Sequence, residues 1–141
     1  MLNKFDPSRS PLCSKCKDKN GTYIHCFWEC SEISKFWVAI SKELDKVFKS
    51  KITMKPGLFL LSLPDRRIPL NPSNVTLLHK LLVLARKCIL FNWIMDKPPT
   101  VRQWHREIQK VLPMERMSAR SKGNEDIFIK IWKPLLDYLP N

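Results

Sequence analysis

Four metal-binding side chains, Cys13, Cys16, His25 and Cys30, fall within one short stretch in the pattern C-x2-C-x8-H-x4-C. Nothing else in the chain limits its folding so tightly. Two thiolates separated by two residues can grip one ion from a tight turn, and a second pair separated by four can close a tetrahedron from the start of the next element. Gly21-Thr22 stands where the chain has to turn back. The spacing predicts one zinc ion held by Cys13, Cys16, His25 and Cys30. Three sulfurs and an imidazole, with no fifth residue at ligand spacing, leave no open coordination position, so the site reads as structural and not catalytic. Cys26 neighbours His25 and offers an alternative third ligand, C-x2-C-x9-C-x3-C, although the imidazole has the commoner spacing. A disulfide framework is the weaker reading, because the five cysteines are odd in number and the first six residues carry no secretory signal pattern. Cys88, in an apolar run, is expected to be a buried, inert thiol.

The 141 residues suffice for one domain, or for a small zinc module plus one compact helical unit. Five tryptophans and seven phenylalanines supply enough apolar surface for a core, even though eleven prolines cut the chain into short elements. The balance of 25 Lys+Arg against 13 Asp+Glu gives +12, and a zinc ion with three thiolates would leave about +11. A polyanion is the natural partner for such an excess; the blander explanation is that lysines keep a small protein soluble. The longest apolar run, Leu81 to Met95, is broken by Arg86-Lys87 and Asn92 and is too short to span a bilayer. The expectation is a soluble protein of a reducing compartment, cytoplasmic and/or nuclear, with no membrane partner.

Residues 1–12, polar with Pro7 and Pro11, read as a disordered leader, 13–30 as the zinc knuckle and 31–141 as a helical domain. Ser31 is a fair N-cap, and Ile33, Phe36, Trp37, Ile40, Leu44, Val47 and Phe48 follow helical spacing. Pro56-Gly57, Pro64, Pro69 and Pro72 exclude a long helix over 50–74. There, Leu58 to Leu63 is expected as a short helical turn or extended piece on the core, and Asp65-Arg66-Arg67 as a surface turn. A largely apolar helix is predicted from about Val75 to Asp96, capped by Ser73 or Asn74, with His79 a surface histidine. Thr100 caps a third helix, with Val101, Trp104 and Ile108 on one face and Arg102, Arg106 and Lys110 on another; Pro113 should kink or interrupt it. Asn124 caps a fourth, burying Phe128, Ile131, Trp132, Leu135 and Leu139, bent or cut short by Pro134. The predicted fold class is mainly α: the C-x2-C-x8-H-x4-C knuckle followed by a small bundle of about four helices.

The segment Cys13-Ser-Lys-Cys16 through Gly21-Thr22, His25, Trp28 and Cys30, followed by Ile33 and Phe36-Trp37, resembles the C-terminal zinc-knuckle region of non-LTR retrotransposon (LINE) reverse-transcriptase polyproteins. The similarity continues through Phe59-Leu60-Leu61 with Leu63-Pro64, Ala85-Arg86-Lys87, Ile89 and Trp93, Pro98-Pro99-Thr100 with Trp104, Met114-Glu115-Arg116 and Trp132. The resemblance implies the tail of a larger protein, whose polymerase and endonuclease lie upstream, and a segment associated with template RNA and nucleic acid during target-primed reverse transcription. A chain starting with methionine just before the knuckle is then expected to be a retroelement remnant, with the upstream polymerase domain of the parent polyprotein a further partner. Cys26, Pro113 and Pro134 depart from the family pattern.

The chain has neither the paired aspartates of a polymerase palm nor an acidic and histidine set able to hold two magnesium ions, so no enzyme activity is expected. A zinc deaminase needs its H-x-E before the cysteine pair, whereas His105-Arg106-Glu107 follows it by about ninety residues. The leading expectation is a non-catalytic module that binds RNA, and DNA second. Tyr23 is the candidate for stacking on a base, and Lys15, Lys17, Lys19, Arg102, Arg106, Lys110, Arg116 and Arg120 are candidates for phosphates. Trp28 is expected to pack the knuckle against the first helix. The alternative is a structural module that docks on another protein, with zinc stapling a small fold.

Overall fold

The computed structural model describes residues 12–17, 20–61, 63, 70–93 and 95–139. The expected leader, apart from Leu12, and the expected turn at Asp65-Arg66-Arg67 lie outside the described residues, as does Lys19. Among the described residues the chain is mainly helical, and Leu12 and Asn20 form an isolated antiparallel bridge.

A π-helical turn, His25–Glu29, leads directly into α1, Ser31–Phe48. The start of α1 differs from expectation by one residue. Cys30, with φ −55° and ψ 131°, is the N-cap, and Ser31 is the first helical residue. The predicted apolar positions of α1 are all buried. Lys49, at φ 53°, ends the helix in the left-handed region, and the Asp45 carboxylate accepts the Ile52 amide at 2.7 Å, folding the next stretch back on α1.

α2, Pro56–Leu61, is the short helical piece expected of the proline-rich stretch, and it buries Leu58 and Phe59. Pro56 suits a first helical position, where no amide partner is needed. α3, Pro72–Phe91, starts earlier than expected and stops sooner. Asn71, not Ser73 or Asn74, is its cap: Asn71 Oδ1 accepts the Asn74 amide at 2.8 Å, with Pro72 preset for the first turn. Its far end closes where the Asn92 amide reaches the Cys88 and Ile89 carbonyls, both at 3.2 Å.

α4, Val101–Ser121, is capped by Thr100, whose hydroxyl accepts the Gln103 amide at 3.1 Å. Pro113 does not interrupt it, and Pro134 does not cut short α5, Glu125–Tyr138. Pro113 lies on the exposed side, where water can satisfy the carbonyl that the ring leaves without a donor. Gly123, at φ 72°, makes the turn between the two helices in a conformation that suits glycine.

α5 packs against α1, α3 and α4, and α3 also against α4 and α1. The core between them holds Trp37, Phe59, Trp104 and Trp132. Trp104 satisfies its indole by donating to the Leu81 carbonyl at 3.0 Å. Tyr138 donates to Glu43 and lies 3.1 Å from His105 Nε2, so one polar contact ties α5 to both α1 and α4. No helix among the described residues is long and apolar enough to cross a membrane.

Candidate metal centre and basic groove

The local chain path gathers the four expected ligands. The Lys17 amide bonds to the Cys13 carbonyl at 2.9 Å, with Lys17 in the left-handed region at φ 57°, so Cys13 and Cys16 open toward the same side. On the other side Thr22 Oγ1 accepts the His25 amide at 3.2 Å and starts the helical turn. That turn then widens: the Cys30 amide bonds to the His25 carbonyl, five residues back, at 2.8 Å. In a regular α-helix, side chains five apart point about 140° away from each other. The wider turn removes that divergence and brings Cys30 under His25.

The ligand atoms of Cys13, Cys16, His25 and Cys30 all lie within 4.8 Å of one another. Cys13 and Cys30 sulfurs are 3.7 Å apart, and Cys16 Sγ is 3.3 Å from His25 Nε2. Tetrahedral coordination with ordinary zinc bond lengths requires edges of about 3.8 Å between sulfurs and about 3.6 Å between sulfur and nitrogen. The cluster could therefore hold one metal ion with little movement.

The thiols at the site are shifted in different directions. Burial raises the Cys13 thiol, but the backbone amides of Cys16 and Lys15, helped by the Cys30 and Cys16 side chains, bring it below its usual value. Burial holds the Cys30 thiol above its usual value, against the opposing pull of the Ile33 and Glu32 amides in the first turn of α1. These amides polarise the sulfur without forming a side-chain capping hydrogen bond. Cys26 is buried near Cys13 but is not one of the four gathered ligands, and burial, with Cys13 next, pushes its thiol up to about 12. Cys88 is buried in the helical core, as expected, and its thiol is pushed up to about 11 by burial and then Glu107.

The segment that carries the Cys/His cluster is fastened at two points. Trp37 of α1 donates its indole N–H to the Phe27 carbonyl at 2.6 Å, and Trp28 packs against Trp37 and Phe59 at 5.8 and 5.9 Å between ring centroids. At the C-terminal end of α3, Ser14 donates to the Trp93 carbonyl at 2.9 Å and Lys15 donates to the Asn92 carbonyl at 2.6 Å. Lys15 is only 9% exposed. Its ammonium thus meets the negative end of a helix instead of solvent. Burial lowers its pKa while the sulfurs of Cys13, Cys26 and Cys30 favour its charge.

The other expected nucleic-acid residues are placed differently from one another. Lys17 is exposed and lies 3.8 Å from Asp96. Tyr23 is 58% exposed, its ring tilted against Trp93 at 5.6 Å, and Phe27 meets the other neighbourhood of that indole at 4.9 Å. Arg116 and Arg120 both reach Glu125 across the turn between α4 and α5, at 3.4 and 3.0 Å, and hold its carboxyl below the usual range. Arg102, Arg106 and Lys110 share one exposed stripe of α4 and line a groove of about 340 Å³. The groove is also lined by Phe91 from the last turn of α3, by Thr100 and Gln103 at the start of α4, and by Glu107. Glu107 is buried and pairs with Lys110 at 3.3 Å and Lys87 at 3.4 Å. Burial raises its carboxyl, but Lys110 and Lys87 hold it below the usual range. Phe91 was not singled out from the sequence, because its place in an apolar run reads as core; its position at the end of α3 is what turns it outward.

Groove and metal segment touch through one relay. Gln103 donates to Asn92 Oδ1 at 3.0 Å, and the carbonyl of that same Asn92 accepts Lys15. No protein-family model matches the chain.

Proposed function

We propose that the chain is a non-catalytic nucleic-acid-binding module, for RNA first and DNA second, whose N-terminal segment is stapled by one structural zinc ion. Zinc is the metal that suits three thiolates and an imidazole in a closed tetrahedron. Such a centre carries a net negative charge, and the buried Lys15 ammonium stands beside it to offset that charge. The observation that carries the binding role is the Arg102–Arg106–Lys110 stripe. Neither Arg102 nor Arg106 has an acidic partner among the described residues, and both line a concave groove. Unpaired guanidiniums along a groove are suited to a phosphate backbone.

The likeness of 13–37 and of the later motifs to LINE polyproteins supports the same role and an origin as a C-terminal remnant of such a reverse transcriptase. Exposed Ile127, Ile129 and Leu136 on α5 favour the alternative, a module docked on an upstream polymerase domain or another protein.

Binding of single-stranded RNA measured over a range of salt separates the two. Affinity should fall steeply, with a log-log slope of about 0.7 per neutralised phosphate. Arg102→Glu with Arg106→Glu should weaken binding and flatten the slope while leaving the fold intact, since both side chains are exposed. A flat salt response with no effect of the reversals would reject nucleic-acid binding and leave the docking module.

A further inference from the structure

We propose that Phe91 is a base-stacking subsite, holding one unpaired base of a single strand whose phosphates lie along Arg102 and Arg106. The inference rests on the nucleic-acid reading and assigns the groove its aromatic contact, a role the sequence assigned to Tyr23. Phe91, the one phenylalanine, tyrosine or tryptophan of α3, is 54% exposed at the end of a helix whose large aliphatic side chains are mostly buried, Val83 and Leu90 excepted. An exposed phenyl ring has an open apolar surface that a nucleobase can cover. Its place is also the right one: Phe91 and the two arginines line the same groove. A strand needs that combination of a flat apolar contact beside cations along its backbone.

Two further features fix the ring. The Lys87 ammonium lies over it, 5.4 Å from the centroid, and is itself held by buried Glu107 at 3.4 Å. Asn92, the next residue, is tied to Gln103, which also lines the groove, and to Lys15 of the Cys/His segment. The groove's aromatic edge is therefore preorganised by the α3 terminus, and a bound strand has little ordering left to do there. Glu107 does not spoil the field, because its single charge is matched by Lys87 and Lys110 while both arginines stay outside the pairing. Tyr23, by contrast, is exposed beside Trp93 and is not among the residues that line the groove.

The test uses the full chain and fluorescein-labelled oligoadenylate RNA, with a strand of the same phosphates lacking its bases. Phe91→Ala should weaken binding to oligoadenylate by about 5- to 150-fold, the factor carried by stacking of one base. It should leave the abasic strand unaffected, and Phe91→Trp should restore affinity. Unchanged thermal melting of Phe91→Ala confirms that the loss is not unfolding. Equal losses on both strands, or no loss on either while the Arg102→Glu, Arg106→Glu variant still loses binding, would overturn the stacking subsite and leave nucleic-acid binding standing. If the unaltered chain binds neither strand, or binds oligoglutamate as well as RNA, the nucleic-acid reading fails and the subsite with it.

Discussion

Lys15 directs its charge inward, onto the carbonyls that end α3, and so belongs to the architecture of the metal-binding segment rather than to a surface that meets phosphate. Hydrogen bonds from a charged group contribute about 1.5–3 kcal/mol each, which sets the scale for its removal. Lys15→Ala should lower unfolding stability in denaturant by that order, and the salt slope of RNA binding should stay as it was. A reduced slope with unchanged stability would return Lys15 to the phosphate contacts. Glu107 gives a pH signature. Its carboxyl is held below the ordinary value despite burial, so its contribution to stability is present above the unfolded glutamate pKa of about 4.3. That contribution is lost as the pH falls through the lower folded value. The melting-temperature gap between the unaltered chain and Glu107→Gln should therefore be full near neutrality and shrink below about pH 4.3. A gap constant across acid pH would mean that the ion pairs with Lys87 and Lys110 contribute nothing.

Elements whose role is to bury one face were readable from spacing alone. Ile33 to Phe48 and Phe128 to Leu135 repeat at helical intervals and are the buried faces of α1 and α5. Thr100 and Asn124 mark helix starts where expected; Thr100 caps through its hydroxyl, a local signal, whereas Asn124 holds the position without a side-chain capping hydrogen bond. What spacing could not supply was tertiary. The π-helical turn, closed by the Cys30 amide on the His25 carbonyl, has no periodic trace in so few residues. The stop of α3 at Phe91 depends partly on Ser14 and Lys15, about eighty residues earlier, taking the carbonyls of Trp93 and Asn92. The candidate ligands were visible as a set, whereas the different placements of Lys15, Arg116 and Arg120 became visible only once their partners were. Pro113 marks the limit of a local rule, since α4 continues through it. A proline inside a helix costs about 3 kcal/mol relative to alanine, so Pro113→Ala should stabilise the chain by about 1–3 kcal/mol. Chemical denaturation showing no gain would mean that the proline stiffens the unfolded chain enough to offset its missing hydrogen bond.

At the scale of the molecule, a helical body and a short segment carrying the Cys/His cluster meet at the N-terminus of α1 and the C-terminus of α3. Phe27 and Trp28, packed against the core, and Lys15, bonded to the end of α3, join the segment to the body. A structural zinc ion contributes about 10–16 kcal/mol in comparably small modules, so removing it should release this segment while the helices behind it persist. Strong chelation should abolish hydrogen-exchange protection over residues 12–30 and fray the first turn of α1, with α3, α4 and α5 still protected. The most direct test is the metal content of the purified full chain, measured by inductively coupled plasma mass spectrometry beside Cys30→Ser. One zinc ion per chain, lost in the variant, is the expected result. A chain that carries no zinc when folded, or a Cys30→Ser variant that holds as much zinc as the unaltered protein, would contradict a closed centre built from Cys13, Cys16, His25 and Cys30.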